Sequence, residues 1–251
     1  MKKLIALVLS FMMCLMTVSA LADTLTVGTN AEFPPFEFIG DNGEPTGFDV
    51  ELIGLIAQEL GKELVIENMF FDGLTAALQM NSIDCIIAAM TITDERKEAV
   101  DFSEPYFNAA QSVIVMKGYE GIQTLEDLKD KKIAVQDGTT GHIMVTDDLQ
   151  CDLSNVAPFK AAPDAVLELM NGRADCIVVD NAVALNFLSM YDEIEIVENI
   201  DMPVEVYGIA VAQGNEELLG SINAALEKII AEGKYDELFT KYFSEEAVAE
   251  E

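Results

Sequence analysis

Basic residues are scarce in this chain: 14 Lys and Arg stand against 45 Asp and Glu, a formal charge of −31 at neutral pH. A field of that sign repels nucleic acid and anionic lipid and favours solubility and cationic encounter partners. Cysteine is thin as well. Cys14 falls near the amino terminus, and only Cys85, Cys151 and Cys176 follow. Three cysteines without CxxC spacing argue against a disulfide framework or a zinc site. Cys85 and Cys176 each open an apolar run and read as small buried hydrophobes. Histidine occurs once, as His142, which reads as a polar helix residue. There is no GxSxG, and Gly138-Thr-Thr-Gly141 lacks the Lys-Ser/Thr of a phosphate loop. Beyond residue 22 no apolar stretch is long enough to span a bilayer. Disorder is also a poor description, because 51% of the residues are apolar and periodically spaced.

The first 22 residues have the form of a secretory leader. Lys2-Lys3 is the charged start, 4–18 the apolar run, and Ala20-Leu21-Ala22 a small-x-small cleavage site before Asp23. Cys14 raises a lipid anchor, but Phe11-Met12-Met13 lacks the small residue such processing wants. The expectation is a soluble protein released across the inner membrane into the periplasm, or held at the cell surface if Cys14 is lipidated. Losing Lys2 and Lys3 with the leader takes the charge from −31 to −33.

After Asp23, strand and helix patterns alternate, which predicts an α/β layer. Residues 24–28 read as a strand. Residues 49–60 carry helical apolar spacing (Val50, Leu52, Ile53, Ile56, Ala57, Leu60) and end at Gly61, a C-cap residue. A helix is expected over 73–80 and a strand over 83–89. The chain then partly repeats itself. Ala77-Leu-Gln-Met-Asn-Ser-Ile-Asp-Cys-Ile-Ile87 parallels Leu167-Glu-Leu-Met-Asn-Gly-Arg-Ala-Asp-Cys-Ile-Val178 with one inserted residue. Each copy is a helix, a short turn and a strand ending at a polar residue. Two similar lobes would each present a strand's carboxyl end, and ligands of open α/β sheets bind outside those ends. The site then falls in a cleft between the lobes.

One such end is the stretch from Ile87 to Tyr106. It turns through Thr91 and Thr93 into a short helix with Asp94 and Glu95 in its first turn, expected to run until Pro105 stops it. Arg96 sits one turn in, and a guanidinium beside backbone N–H groups there suits a small carboxylate. The alternative is a solvated helix arginine. A free amino acid asks for more than that: a carboxylate for its ammonium, and apolar walls with a few polar groups for its side chain. Asp180, Phe33 and Phe71 can supply these. Asp180 also reads as a cap for a helix starting at Asn181, and the phenylalanines as core aromatics.

Seven segments together resemble the extracellular amino-acid-binding proteins that feed ABC importers, the solute-binding protein family 3. They are Gly28-Thr-Asn-Ala-Glu-Phe-Pro-Pro-Phe-Glu-Phe38, Gly47-Phe-Asp-Val50, Phe71-Asp-Gly-Leu74, Met90-Thr-Ile-Thr-Asp-Glu-Arg96, Asp101-Phe-Ser-Glu-Pro-Tyr106, Gly138-Thr-Thr140 and Tyr207-Gly-Ile209. The resemblance spans 23–243 and implies a two-lobed, type II periplasmic-binding-protein-like fold, each lobe a mixed sheet flanked by helices, joined by a two-strand hinge. It implies one lobe from 23–105 with 209–251, another from 110–204, and hinges at 106–110 and 204–208. Arg96 would clamp the ligand carboxylate with the Thr91 N–H and Thr140, while Asp180 and the Ala89 carbonyl hold the ammonium; Met90 lies between Ala89 and Thr91 in the same binding segment. Phe33 and Phe71 would sandwich the side chain, and Asn30 and Gln136 read its polar tip. No cofactor or metal is implied. The implied partners are a free amino acid and a membrane permease with a cytoplasmic ATPase, with the protein itself a monomer.

Basic-amino-acid binders of this kind often carry an acid where Asn30 stands and hydroxyls where Ala88 and Ala89 stand. Glutamine binders carry a lysine at the place of Gln136 and a histidine at that of Val179. The segment from Gln136 to Gly141 resembles arginine-type members, with Glu32 available to face a guanidinium, so arginine and glutamine lead as ligands. Two other classes share the fold: a dehydratase of prephenate-like acids, which turnover would reveal, and a sensory module for a receptor partner, which an import assay would separate from a transporter component.

Overall fold

The computed structural model describes residues 23–198 and 200–243; the leader, Cys14 and the end of the acidic tail lie outside them. The chain begins with β1 (Thr24–Thr29), whose Leu25 and Val27 alternate into the core. Three short strands follow, β2 (Glu32–Phe33), β3 (Glu37–Ile39) and β4 (Pro45–Thr46), forming a small antiparallel sheet. Helix α1 (Phe48–Leu60) buries Leu52, Ile53, Ile56 and Ala57 as one apolar stripe and stops at Gly61, left-handed at φ 68°. Then come β5 (Glu63–Asn68), α2 (Phe71–Gln79), β6 (Cys85–Ile86), α3 (Asp94–Lys97) and β7 (Val100–Phe102).

The second run holds β8 (Phe107–Met116), β9 (Ile133–Gln136), α4 (Thr140–Ile143), β10 (Val156–Phe159), α5 (Ala162–Met170), β11 (Cys176–Asp180), α6 (Asn181–Met190), β12 (Ile194–Ile196) and β13 (Val204–Tyr207). The chain ends with β14 (Ala210–Ala212), α7 (Glu216–Ala231) and α8 (Lys234–Phe243), and both helices pack on α1.

These strands make two mixed sheets of matching design. The first has the order β5-β1-β6-β14-β7 and the second β10-β9-β11-β8-β12. In each, the first three strands are parallel and the fourth runs antiparallel to its neighbours. Strands β6 and β11 occupy the same place, each reached from the helix before it (α2 or α5), so the sequence repeat marks a real structural equivalence. Cys85 and Cys176 open those two strands, are free, and are fully buried. Burial pushes both thiols up, away from reactivity.

The lobes are joined where β7 gives way to β8 and β13 to β14. There the first part of β8 pairs antiparallel with β13, with Phe107 opposite Tyr207 and Ala109 opposite Glu205. An aromatic cluster pins this crossing to the first lobe: Phe36 meets Phe107 at 4.8 Å and Phe243 at 5.2 Å, and Phe107 stacks on Tyr207 at 5.5 Å.

Two sequence expectations need correction. The strand expected over 83–89 pairs only at Cys85–Ile86, because the backbone then leaves the ladder and reaches a left-handed φ of 45° at Ala89. The helix expected to run toward Pro105 is a single turn ending at Lys97, because 100–102 is drawn into β7 against β14.

Candidate functional site

Arg96 is held from both ends. Its backbone N–H donates to the cap residue Thr93 at 3.1 Å, which fixes α3. A helix of four residues has little dipole, so any anion affinity here resides in the guanidinium itself. That group donates to the Thr91 carbonyl at 2.7 Å and to the Gly138 carbonyl of the other lobe at 3.0 Å, and it lies 5.3 Å from the centre of the Phe71 ring. The turn that offers this carbonyl places Gly138 at φ +78°, with Asp72 of the first lobe close by. Two of five N–H donors are thus used. Among the described residues the guanidinium has no carboxylate in ion-pair contact, unlike Arg173 on Glu168 at 2.6 Å. Burial lowers its pKa, and the fields of Asp180 and Glu205 oppose that shift.

Asp180 ends β11 directly opposite Gln111 of β8. Its side chain makes no cap bond to α6; it turns inward, accepting from Gln111 Nε2 and, at 2.8 Å, from the Tyr207 hydroxyl. No cation pairs with it among the described residues. Burial, with Glu205 nearby, pushes its carboxyl up to about 7.

Ala89, strained at a left-handed φ of 45°, is held by Asp49, whose Oδ2 accepts from the Ala89 N–H and from the Tyr106 hydroxyl, both at 2.7 Å. Burial raises Asp49 to about 7. Beside it Glu37 is fully buried, and both its oxygens lack a donor. Burial and the neighbouring Asp49 hold its carboxyl well above the usual carboxylate range.

Arg96, Asp180, Ala89 and Glu37 line one small, nearly closed cavity, together with Phe33, Phe71, Ala88, Thr91, Gln136, Thr139 and Thr140. Eight of the residues singled out from sequence therefore meet there: Phe33, Phe71, Ala89, Thr91, Arg96, Gln136, Thr140 and Asp180. Asn30 stands just behind, accepting from Gln136 Nε2 at 2.7 Å. Met90 is not brought to the cavity; it packs among Leu74, Leu78 and Ile83. His142 is also outside, with Nδ1 accepting from the Gly138 N–H at 3.3 Å. Glu37, Gln111 and Glu205 were not singled out; their places come from pairings far apart in sequence, which no local pattern signals. A wider groove on the first lobe's outer face, between Leu60 and Leu218, holds charges already paired, such as Lys62 with Asp23 and Lys228 with Glu59.

The two lobes are drawn together across this cavity. Besides Arg96 to Gly138 and Gln136 to Asn30, Lys160 reaches Asp72 of the first lobe at 2.6 Å and Asp137 of its own at 2.9 Å.

Several known proteins resemble this chain in sequence and in fold. A "Probable histidine-binding protein" of Neisseria gonorrhoeae is 37% identical over 88% of this chain and 83% of its own length. The "L-cystine-binding protein TcyJ" of Escherichia coli K12 is 36% identical over 88% and 82%. Among solved structures, a mutant of ArgBP from T. maritima is 46% identical with a TM-score of 0.83, covering 88% of this chain and 96% of that one. An ancestral arginine-binding protein bound to glutamine gives the same identity and score, covering 88% and 98%. The profile for bacterial extracellular solute-binding proteins, family 3, matches residues 25–245, and the chain belongs to that family.

Proposed function

We propose that the cleft captures a free polar L-amino acid, of arginine or glutamine type, without turning it over, and that the protein delivers it to an ABC permease driven by a cytoplasmic ATPase. One observation carries the reading. A half-buried guanidinium and a buried carboxylate line the same cavity, and neither has an ionic partner among the described residues. A zwitterion neutralises both at once, where a simple anion or cation leaves one exposed to a dry cleft. Arg96, the Thr91 N–H and Thr140 take the ligand carboxylate; Asp180 and the Ala89 carbonyl take the ammonium. Phe33 and Phe71 wall the side chain, with Asn30 and Gln136 at its tip. Glu32, half-buried near Asp164 of the other lobe, favours a cationic tip, since burial and then the Asp164 field push its own carboxyl up.

Residues 23–105 with 209–251 form one jaw and 110–204 the other, with 106–110 and 204–208 as hinges, in a monomer working outside the inner membrane. The ligand bridges the jaws and so favours the closed form. The test is a thermal-shift screen of the common amino acids, with agmatine beside L-arginine. Agmatine keeps the guanidinium and lacks the carboxylate. Stabilisation by L-arginine or L-glutamine and none by agmatine is expected; stabilisation by no amino acid, or equally by agmatine, overturns the reading.

A further inference from the structure

Glu205 has no part in the scheme above, yet it touches both lobes. It lies on the crossing strand β13, and its Oε2 accepts from Thr91 Oγ1 of the first lobe at 2.7 Å and from Thr140 Oγ1 of the second at 2.8 Å. Its Oε1 accepts from Gln111 Nε2, on the other crossing strand, at 3.3 Å. A hydroxyl has one proton to give. With both protons spent on Glu205, the two threonines have only backbone N–H groups left for a ligand carboxylate, so their side chains serve another purpose.

Position identifies that purpose. Thr91 and Thr140 line the inner cavity on one side, and on the other an outer groove that also holds Ile143, Met144 and Pro203. Glu205 lines the outer groove and not the inner cavity. The threonines thus form a thin wall, and the carboxylate pins it from behind while leaving the ligand space clear. Hydrogen bonds to an ionised acceptor are the stronger kind, and these two join parts of the molecule that separate when the cleft opens.

We propose that Glu205 is a positioning residue: a latch between the lobes that ties Thr91 to Thr140 behind the ligand carboxylate and slows reopening of the closed cleft. The proposal rests on the cleft being an amino-acid site. Ligand enters the open form, in which the latch is unmade, and leaves only after it breaks. The latch therefore acts mainly on dissociation, and it slows association only by the fraction of ligand-free protein it holds shut.

The experiment compares the parent protein with Glu205→Ala and Glu205→Gln, the second keeping one acceptor oxygen. Stopped-flow with L-arginine, and with L-glutamine as a second probe, gives both rate constants; small-angle scattering gives the radius of the ligand-free protein. Glu205→Ala is expected to speed dissociation about tenfold, as loss of one charge-assisted bond implies. Its association rate should stay within about twofold, Glu205→Gln should recover most of the slow dissociation, and the ligand-free Ala variant should be more extended. Unchanged dissociation and scattering overturn the latch, as does a lower melting temperature with neither changed. If neither amino acid binds the parent, the reading of the cleft fails separately, and equal ligand-free radii then overturn the latch alone.

Discussion

Replacing Arg96 with alanine is the sharpest perturbation of the site. It removes the group proposed to meet the ligand carboxylate, the 3.0 Å bond to Gly138 across the cleft and the contact with Phe71. Leaving a carboxylate unpaired in a dry cleft costs about 3–5 kcal/mol, a loss of roughly 100- to 4000-fold in affinity. At a ligand concentration about 1000 times the parent's Kd, binding stabilises the parent by about 4.1 kcal/mol. At about 2–4 °C per kcal/mol for a chain of this size, its melting temperature rises roughly 8–16 °C. The variant at the same concentration retains at most about 1.4 kcal/mol, a rise below about 6 °C. Differential scanning fluorimetry with L-arginine, and again with L-glutamine, reads this directly, and the ligand-free melt shows whether the variant folds. Arg96→Lys keeps a charge but not the planar fork, and should fall between the two. A folded Arg96→Ala protein that keeps the parent's full shift would refute the assignment.

Asp180 makes ligand-free stability and affinity respond to pH in opposite senses. Its folded pKa of about 7 lies above the ordinary carboxylate value, so the native state holds the extra proton between roughly pH 4 and 7. Its contribution to stability is complete below that window and is lost as pH rises through 7. Binding an ammonium needs the ionised form, so affinity should fall by up to about tenfold per unit below pH 7. Asp180→Asn, compared with the parent by calorimetry at pH 5 and 8, should flatten both trends. Asp49→Ala strands the buried Ala89 N–H and Tyr106 hydroxyl and should cost about 2–4 kcal/mol in urea unfolding; Asp49→Asn, which keeps an acceptor, should cost much less. Lys160→Met removes the exposed bridge to Asp72 and should speed ligand release about twofold to fivefold at low salt, with no difference at 0.5 M salt.

Local pattern carried much of this molecule. The stripe of α1, its stop at Gly61 and the paired placement of β6 and β11 were readable because each depends on neighbours a few residues away. The segment after Ile86 was not, because an apolar run signals burial without saying whether the backbone stays in a ladder. Helix α3 stops at Lys97 because Val100–Phe102 pair with β14, more than 100 residues later. Eight of the proposed contacts could be named from motifs and do share the cavity. Met90 instead packs into the apolar cluster of Leu74, Leu78 and Ile83, a long-range burial that its motif does not signal. The buried acids Glu37 and Asp49 were invisible as a pair, since their meeting depends on how β3 and α1 pack.

The place of β14 has a bearing on how the protein is made. It is a central strand of the first sheet, lying between β6 and β7, and it follows every residue of the second lobe in the chain. During synthesis the second lobe has all its strands before β14 emerges, while the first sheet remains in two pieces with raw inner edges. Completion of the first lobe must therefore await the last stretch of chain, and a product truncated before Ala210 would keep those edges open to aggregation.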